Sequence, residues 1–121
     1  MWAKALVVVR FDELLGQRIQ GYFPPYSLSE QVMKNIQDLA MPDCYNLNSG
    51  RDSLKYSFRV ANEENSGQFF NCYVFFRHRR DPTSTRGFCQ ESVVLVSEYS
   101  FESLSFAISE RLYEVLVALF F

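Results

Sequence analysis

Four arginines, Arg77, Arg79, Arg80 and Arg86, fall within ten residues around the single histidine, His78, and beside Asp81. A guanidinium presents a planar fork of donors that pairs bidentately with carboxylates and phosphates. The cluster is therefore a candidate anion-binding or partner-docking surface. The competing reading is a solvated hairpin loop whose charges pair internally with Asp81 or Glu91, because exposed pairs are common and contribute only about 0–1 kcal/mol. Both readings require the same scaffold. Two apolar runs, Phe69–Phe76 and Val93–Val96, flank the charged segment and read as buried strands joined by a polar, turn-rich connection.

Covalent chemistry finds less support. His78 with Cys72 or Cys89 would make a small hydrolase, but a lone histidine without a placed nucleophile or an orienting carboxylate is weak ground for one. Cys44, Cys72 and Cys89 are odd in number and irregular in spacing. That pattern argues for a reducing compartment over a disulfide framework, and it lacks metal-ligand spacing. Asp12, Glu13 and Asp43 read as turn and cap residues before they read as a cation site. The scattered glycines form no phosphate-cradling loop, so no nucleotide, metal or other cofactor is expected.

Net charge is −2 and aromatic content 17%. Interleaved aromatics and arginines at Phe69–Arg77 could serve a nucleic-acid platform, but an acidic chain favours core packing, and no nucleic-acid partner is expected. The run Ala5–Val9 is stopped by Arg10, Asp12 and Glu13 and is not a signal peptide. Val115–Phe121 is too short to span a bilayer, which takes about 20 residues, so any membrane role is peripheral.

The elements follow from periodicity. Ala3–Arg10 predicts a buried strand, Asp12–Gly16 a turn, and Gln17–Phe23 a return strand ended by Pro24 and Pro25. Ser27 and Glu30 have capping-box spacing, and Leu28, Val32, Ile36 and Leu39 then step as a helix that Pro42 stops. Leu54, Tyr56, Phe58 and Val60 alternate as a strand with one wet face. Ser100 is the expected cap of a last helix whose stripe is Phe101, Leu104, Ile108, Leu112, Val115 and Leu119. The order is ββαβββα in one domain spanning 1–121, an α+β class. Leu116–Phe121 is apolar all round and needs cover, which predicts a chain truncated at its C-terminus or half of a two-chain assembly.

Four ordered pieces of the sequence resemble the first, upstream module of the DENN-domain family, and within it the subfamily numbered six. Phe11-Asp12 with Leu15-Gly16-Gln17 is similar to the family's opening strand and turn. Phe23-Pro24-Pro25 and Met41-Pro42-Asp43 resemble the corners around its first helix. Tyr56–Arg59 is similar to its FxFR strand. Arg77, Arg80, Asp81, Arg86 and Gly87, followed by the Val94–Ser97 strand, resemble its most distinctive segment. Glu91 departs from the pattern, standing where relatives tend to carry lysine.

The resemblance implies a longin-like fold, a five-stranded sheet with flanking helices. It also implies one half of a guanine-nucleotide exchange factor for a Rab-type small GTPase, cytoplasmic and peripheral on endosomes. The companion DENN lobe is absent from the sequence, so weak or no exchange is expected of the chain alone. The arginine cluster and the resemblance together make Arg77, Arg79, Arg80, Asp81 and Arg86 the candidate partner-binding residues. The alternative is a non-catalytic longin scaffold that pairs with a second DENN lobe or another trafficking subunit through its last helix.

Overall fold

A computed structural model describes residues 3–42, 53–63, 65–80, 82, 83, 85, 87–100 and 102–120. The elements are β1 (Ala5–Asp12), β2 (Gly16–Phe23), α1 (Glu30–Leu39), β3 (Ser53–Ala61), β4 (Phe69–Arg80), β5 (Phe88–Ser97) and α2 (Glu102–Phe120). The expected ββαβββα order holds. All strand pairs are antiparallel, in the sheet order β2-β1-β5-β4-β3. Helix α1 carries the chain from one sheet edge to the other, and β5 returns to pair with β1 at the centre.

The three central strands are buried on both faces, which is why they read as continuous apolar runs instead of alternating. One core lies beneath α1, where Val7, Val9, Val74, Phe76, Val94 and Val96 meet Val32 and Ile36. A smaller core lies beneath α2, where Val8, Phe75 and Val93 meet Tyr113. Strand β3 alternates as expected. Leu54, Tyr56 and Phe58 lean on the α1 core while Lys55, Ser57 and Arg59 face water.

Local expectations need correction in three places. The N-cap of α1 is Ser29, whose hydroxyl accepts from the Val32 amide at 3.2 Å. Ser27 instead donates its hydroxyl to the Pro24 carbonyl, stabilising the turn before the helix. Leu39 is half exposed, because the helix ends there and Ala40 and Met41 take the buried places. Helix α2 begins at Glu102, and position 101, between it and the expected cap Ser100, lies outside the described residues.

The largest correction concerns the buried face of α2. Leu104 and Val115 of the expected stripe are 56% and 55% exposed, and Ile108 and Leu112 are only half buried. Among the described side chains of α2 the fully buried ones are Ser105, Ser109 and Tyr113, one turn apart. Small side chains let a helix backbone approach a sheet closely, and Ser109 satisfies its hydroxyl inside the helix by donating to the Ser105 carbonyl at 2.8 Å. Bulk is thus displaced to the helix flanks. Leu116–Phe120 continue the helix, and their side chains lie outside the described residues.

Candidate functional site

Strand register, not loop proximity, assembles the charged site. Arg77, His78, Arg79 and Arg80 lie in β4 and not in the connection, because β4 and β5 stay paired past the apolar runs. Their partners are Glu91, Gln90, Cys89 and Phe88 in turn. Side-chain alternation then splits the cluster. Arg77 shares the α2 face with Tyr73 and Phe75, whereas His78 and exposed Arg80 follow Val74 and Phe76 on the α1 face. Arg79 keeps its register position opposite Cys89. Asp81 and Arg86 lie outside the described residues.

The same register recruits charges that are remote in sequence. Arg18 of β2 lies opposite Arg10 of β1, Arg10 opposite Glu91 of β5, and Glu91 opposite Arg77 of β4. Directly opposed residues share a face and interact, so one row on the α2 face reads Arg18, Arg10, Glu91, Arg77. The like-charge pair Arg10 and Arg18 is unfavourable by itself, and Glu91 beside Arg10 offsets it.

Glu91 is 0% exposed, a burial that a carboxylate tolerates only with hydrogen bonds and nearby opposite charge. Tyr113 donates its hydroxyl to Glu91 Oε2 at 2.7 Å, and the Cys89 thiol donates to Glu91 Oε1 at 3.0 Å. Arg10 Nε donates to Cys89 Sγ at 3.0 Å. The Arg77 guanidinium lies over the Tyr113 ring, 5.6 Å from its centroid, in cation–π geometry. Arg10 and Arg77 flank the one sequestered carboxylate and Arg18 stands beyond Arg10, so the row holds more guanidiniums than carboxylates and suits an acidic surface.

Neither thiol among the described residues is a ready nucleophile, and Cys44 lies outside them. Burial pushes the Cys72 thiol up to about 12. Burial, and then the hydrogen bond to Glu91, push Cys89 to about 11, so neither forms thiolate near neutrality. His78 is on the face opposite Cys89 and lies six residues along β4 from Cys72. Among the described residues no three His, Cys, Asp or Glu side chains gather to hold a metal. No helix among them is long and apolar enough to cross a membrane.

Sequence reasoning found Arg77 but missed Arg10, Arg18 and Tyr113 as its companions. The turn at Asp12–Gly16 does announce the Arg10–Arg18 pair, because a short antiparallel hairpin fixes its own register. Pairing of β1 with β5 joins segments some eighty residues apart and has no local signal.

No family model matches the chain. It is 33% identical over 107 residues to the DENND6 homolog of Dictyostelium discoideum, a match covering 85% of this chain and 15% of that protein. It is 31% identical over 119 residues to DENND6A of Gallus gallus, covering 80% of this chain and 20% of that protein. DENND6B of Homo sapiens is 27% identical over 125 residues, covering 85% and 21%. The chain spans about a fifth or less of the length of the curated relatives it matches. Over at least four-fifths of its own length, this α+β chain is homologous to proteins of the DENND6 family.

Proposed function

We propose that residues 1–121 form the upstream-DENN, longin-like module of a Rab guanine-nucleotide exchange factor that works in endosomal membrane traffic. The homology to DENND6 proteins over at least 80% of the chain carries this reading. The module and a companion DENN lobe grip the GTPase switch regions and hold them off the nucleotide. GDP then leaves and GTP replaces it. No covalent step is required, only tighter binding of the nucleotide-free state, which shifts the population toward it. The charged row Arg18, Arg10, Glu91, Arg77 supports such docking.

We assign GTPase contact to Arg77, Arg79, Arg80, Asp81 and Arg86, with Arg10 and Arg18 added by the register. Exchange by the chain alone is weak or absent, since its relatives are several times longer. The test is release of a fluorescent GDP analogue from a panel of Rab GTPases with and without the chain, alongside direct binding. Binding of one nucleotide-free Rab that weakens in Arg79→Ala/Arg80→Ala supports the reading. Failure to bind any member of the panel counts against it.

A second reading is a non-catalytic longin scaffold. The exposed Leu104 and Val115 on α2 favour it, because they form an apolar flank beside half-buried Ile108 and Leu112. It predicts a stable complex with another trafficking subunit, seen by size-exclusion chromatography, without nucleotide release.

A further inference from the structure

The tip of the β1–β2 hairpin presents two leucines that fill no core. Leu14 is 93% exposed and Leu15 63%. Turns of this kind ordinarily carry Gly, Asn, Asp or Ser, each for a conformational reason. Here the conformational work is done by the flanking residues. The Asp12 carboxylate accepts from the Leu14 and Leu15 amides at 2.8 and 2.9 Å, and Gly16 supplies the left-handed backbone at φ 80°. Of the three positions between, Glu13 is charged and the other two carry large apolar side chains held out into water.

Three features fit this tip to a lipid surface. First, the amides of Leu14 and Leu15 already have acceptors, so these two residues enter an apolar boundary without unsatisfied donors, which are costly there. Second, exposed Arg18 and Arg80 flank it on two hairpins, near the turn in β2 and at the end of β4. Third, the two hairpins are tied together, because the Thr85 hydroxyl donates to the Glu13 carboxylate. The leucines are thereby held at one end of the sheet, with Arg18 on its α2 face and Arg80 on its α1 face. The turn also carries the carboxylates of Asp12 and Glu13, which accept from the Leu14 and Leu15 amides and from the Thr85 hydroxyl, so the guanidiniums of Arg18 and Arg80 are what this end offers to an anion.

We propose that this hairpin end docks on an anionic membrane surface, with Leu14 and Leu15 entering the headgroup–acyl boundary and Arg18 and Arg80 pairing with lipid phosphates. A convex apolar tip flanked by guanidiniums matches the division of a membrane interface into apolar interior and anionic rim. Arg18 and Arg80 stand in both this inference and the exchange-factor reading, and vesicle binding with no GTPase present separates the two.

The test is co-sedimentation of the 121-residue chain with phosphatidylcholine vesicles, with and without phosphatidylserine. Binding is expected only with phosphatidylserine and falls as salt rises. Arg18→Gln and Arg80→Gln each reduce partitioning about fivefold. Leu14→Ser/Leu15→Ser reduces it about tenfold or more, with the circular dichroism spectrum unchanged. Vesicles without phosphatidylserine binding equally well would overturn the proposal. So would the leucine variant binding like the parent. Absence of vesicle binding would also overturn it and would leave the tip to a protein partner. Should the leucine variant fail to fold, the arginine variants and the lipid comparison still decide the matter.

Discussion

The Tyr113 hydroxyl and the Glu91 carboxylate meet at 2.7 Å across the interface between α2 and the sheet. Glu91 is fully buried in the middle of β5, so this bond both docks the last helix and supplies a carboxylate with one of its donors. The same ring receives the Arg77 guanidinium on its face and the Phe75 ring edge-on at 5.3 Å. One tyrosine thus connects apolar core to charged row.

Tyr113→Phe keeps the ring contacts and removes the donor. It should destabilise the chain by about 1–3 kcal/mol, the penalty for withdrawing a partner from a buried charged group. Glu91→Gln should show coupling to it of at least about 0.5 kcal/mol in a double-mutant cycle followed by urea denaturation. Additive effects would mean that the bond does not hold the helix.

How much of this was legible beforehand depends on the range of each interaction. Val32 and Ile36, the period-two pattern of β3 and the β1–β2 turn are set by neighbours in sequence, and they were readable. The arginine cluster was visible as composition but misplaced, because no local feature shows that β4 and β5 remain paired out to Arg80. Glu91 read only as a departure from a family pattern and as a pairing option for the arginines, whereas it lies buried between Arg10 and Arg77. Helix α2 was misread for a different reason. Hydrophobicity ranks Leu104 above Ser105, but close packing on a sheet selects the smaller side chain.

That choice gives a prediction which runs against hydrophobicity. Ser109→Leu should destabilise by about 1–3 kcal/mol, since a larger side chain forces the helix from the sheet. Ser105 is buried, and its hydroxyl has no partner among the described residues. Ser105→Ala should therefore leave stability unchanged or raise it by up to about 1 kcal/mol. Thermal or urea midpoints check both; a gain from Ser109→Leu would show that the helix does not sit close to the sheet.

The thiols predict resistance to labelling. Near pH 7.5 Cys72 and Cys89 should react with iodoacetamide only after unfolding, as mapped by mass spectrometry of the peptides. Above the ordinary thiol value of 9.0 the unfolded Cys72 ionises while the folded one stays protonated until about 12. The unfolded state then binds fewer protons, so stability falls with rising pH in that window, by up to about 1.4 kcal/mol per unit for Cys72. Cys89 acts in the same direction from 9.0 to about 11. Rapid native labelling of Cys89 would refute this burial and reopen thiol chemistry.

At the other end of the pH scale the β1–β2 turn should govern part of the acid response. The Leu14 and Leu15 amides donate to Asp12 and hold its carboxyl below the ordinary value of 3.8. A carboxyl depressed in the folded state contributes stability above that ordinary value and loses it as pH falls through the lower folded value. Asp12→Asn retains an acceptor for the amides but cannot titrate. Its urea midpoint should therefore vary less with acid pH than that of the parent, while Asp12→Ala should be weaker at every pH. If the Asn variant reproduced the parent's acid limb, the turn carboxylate would not be the group that titrates.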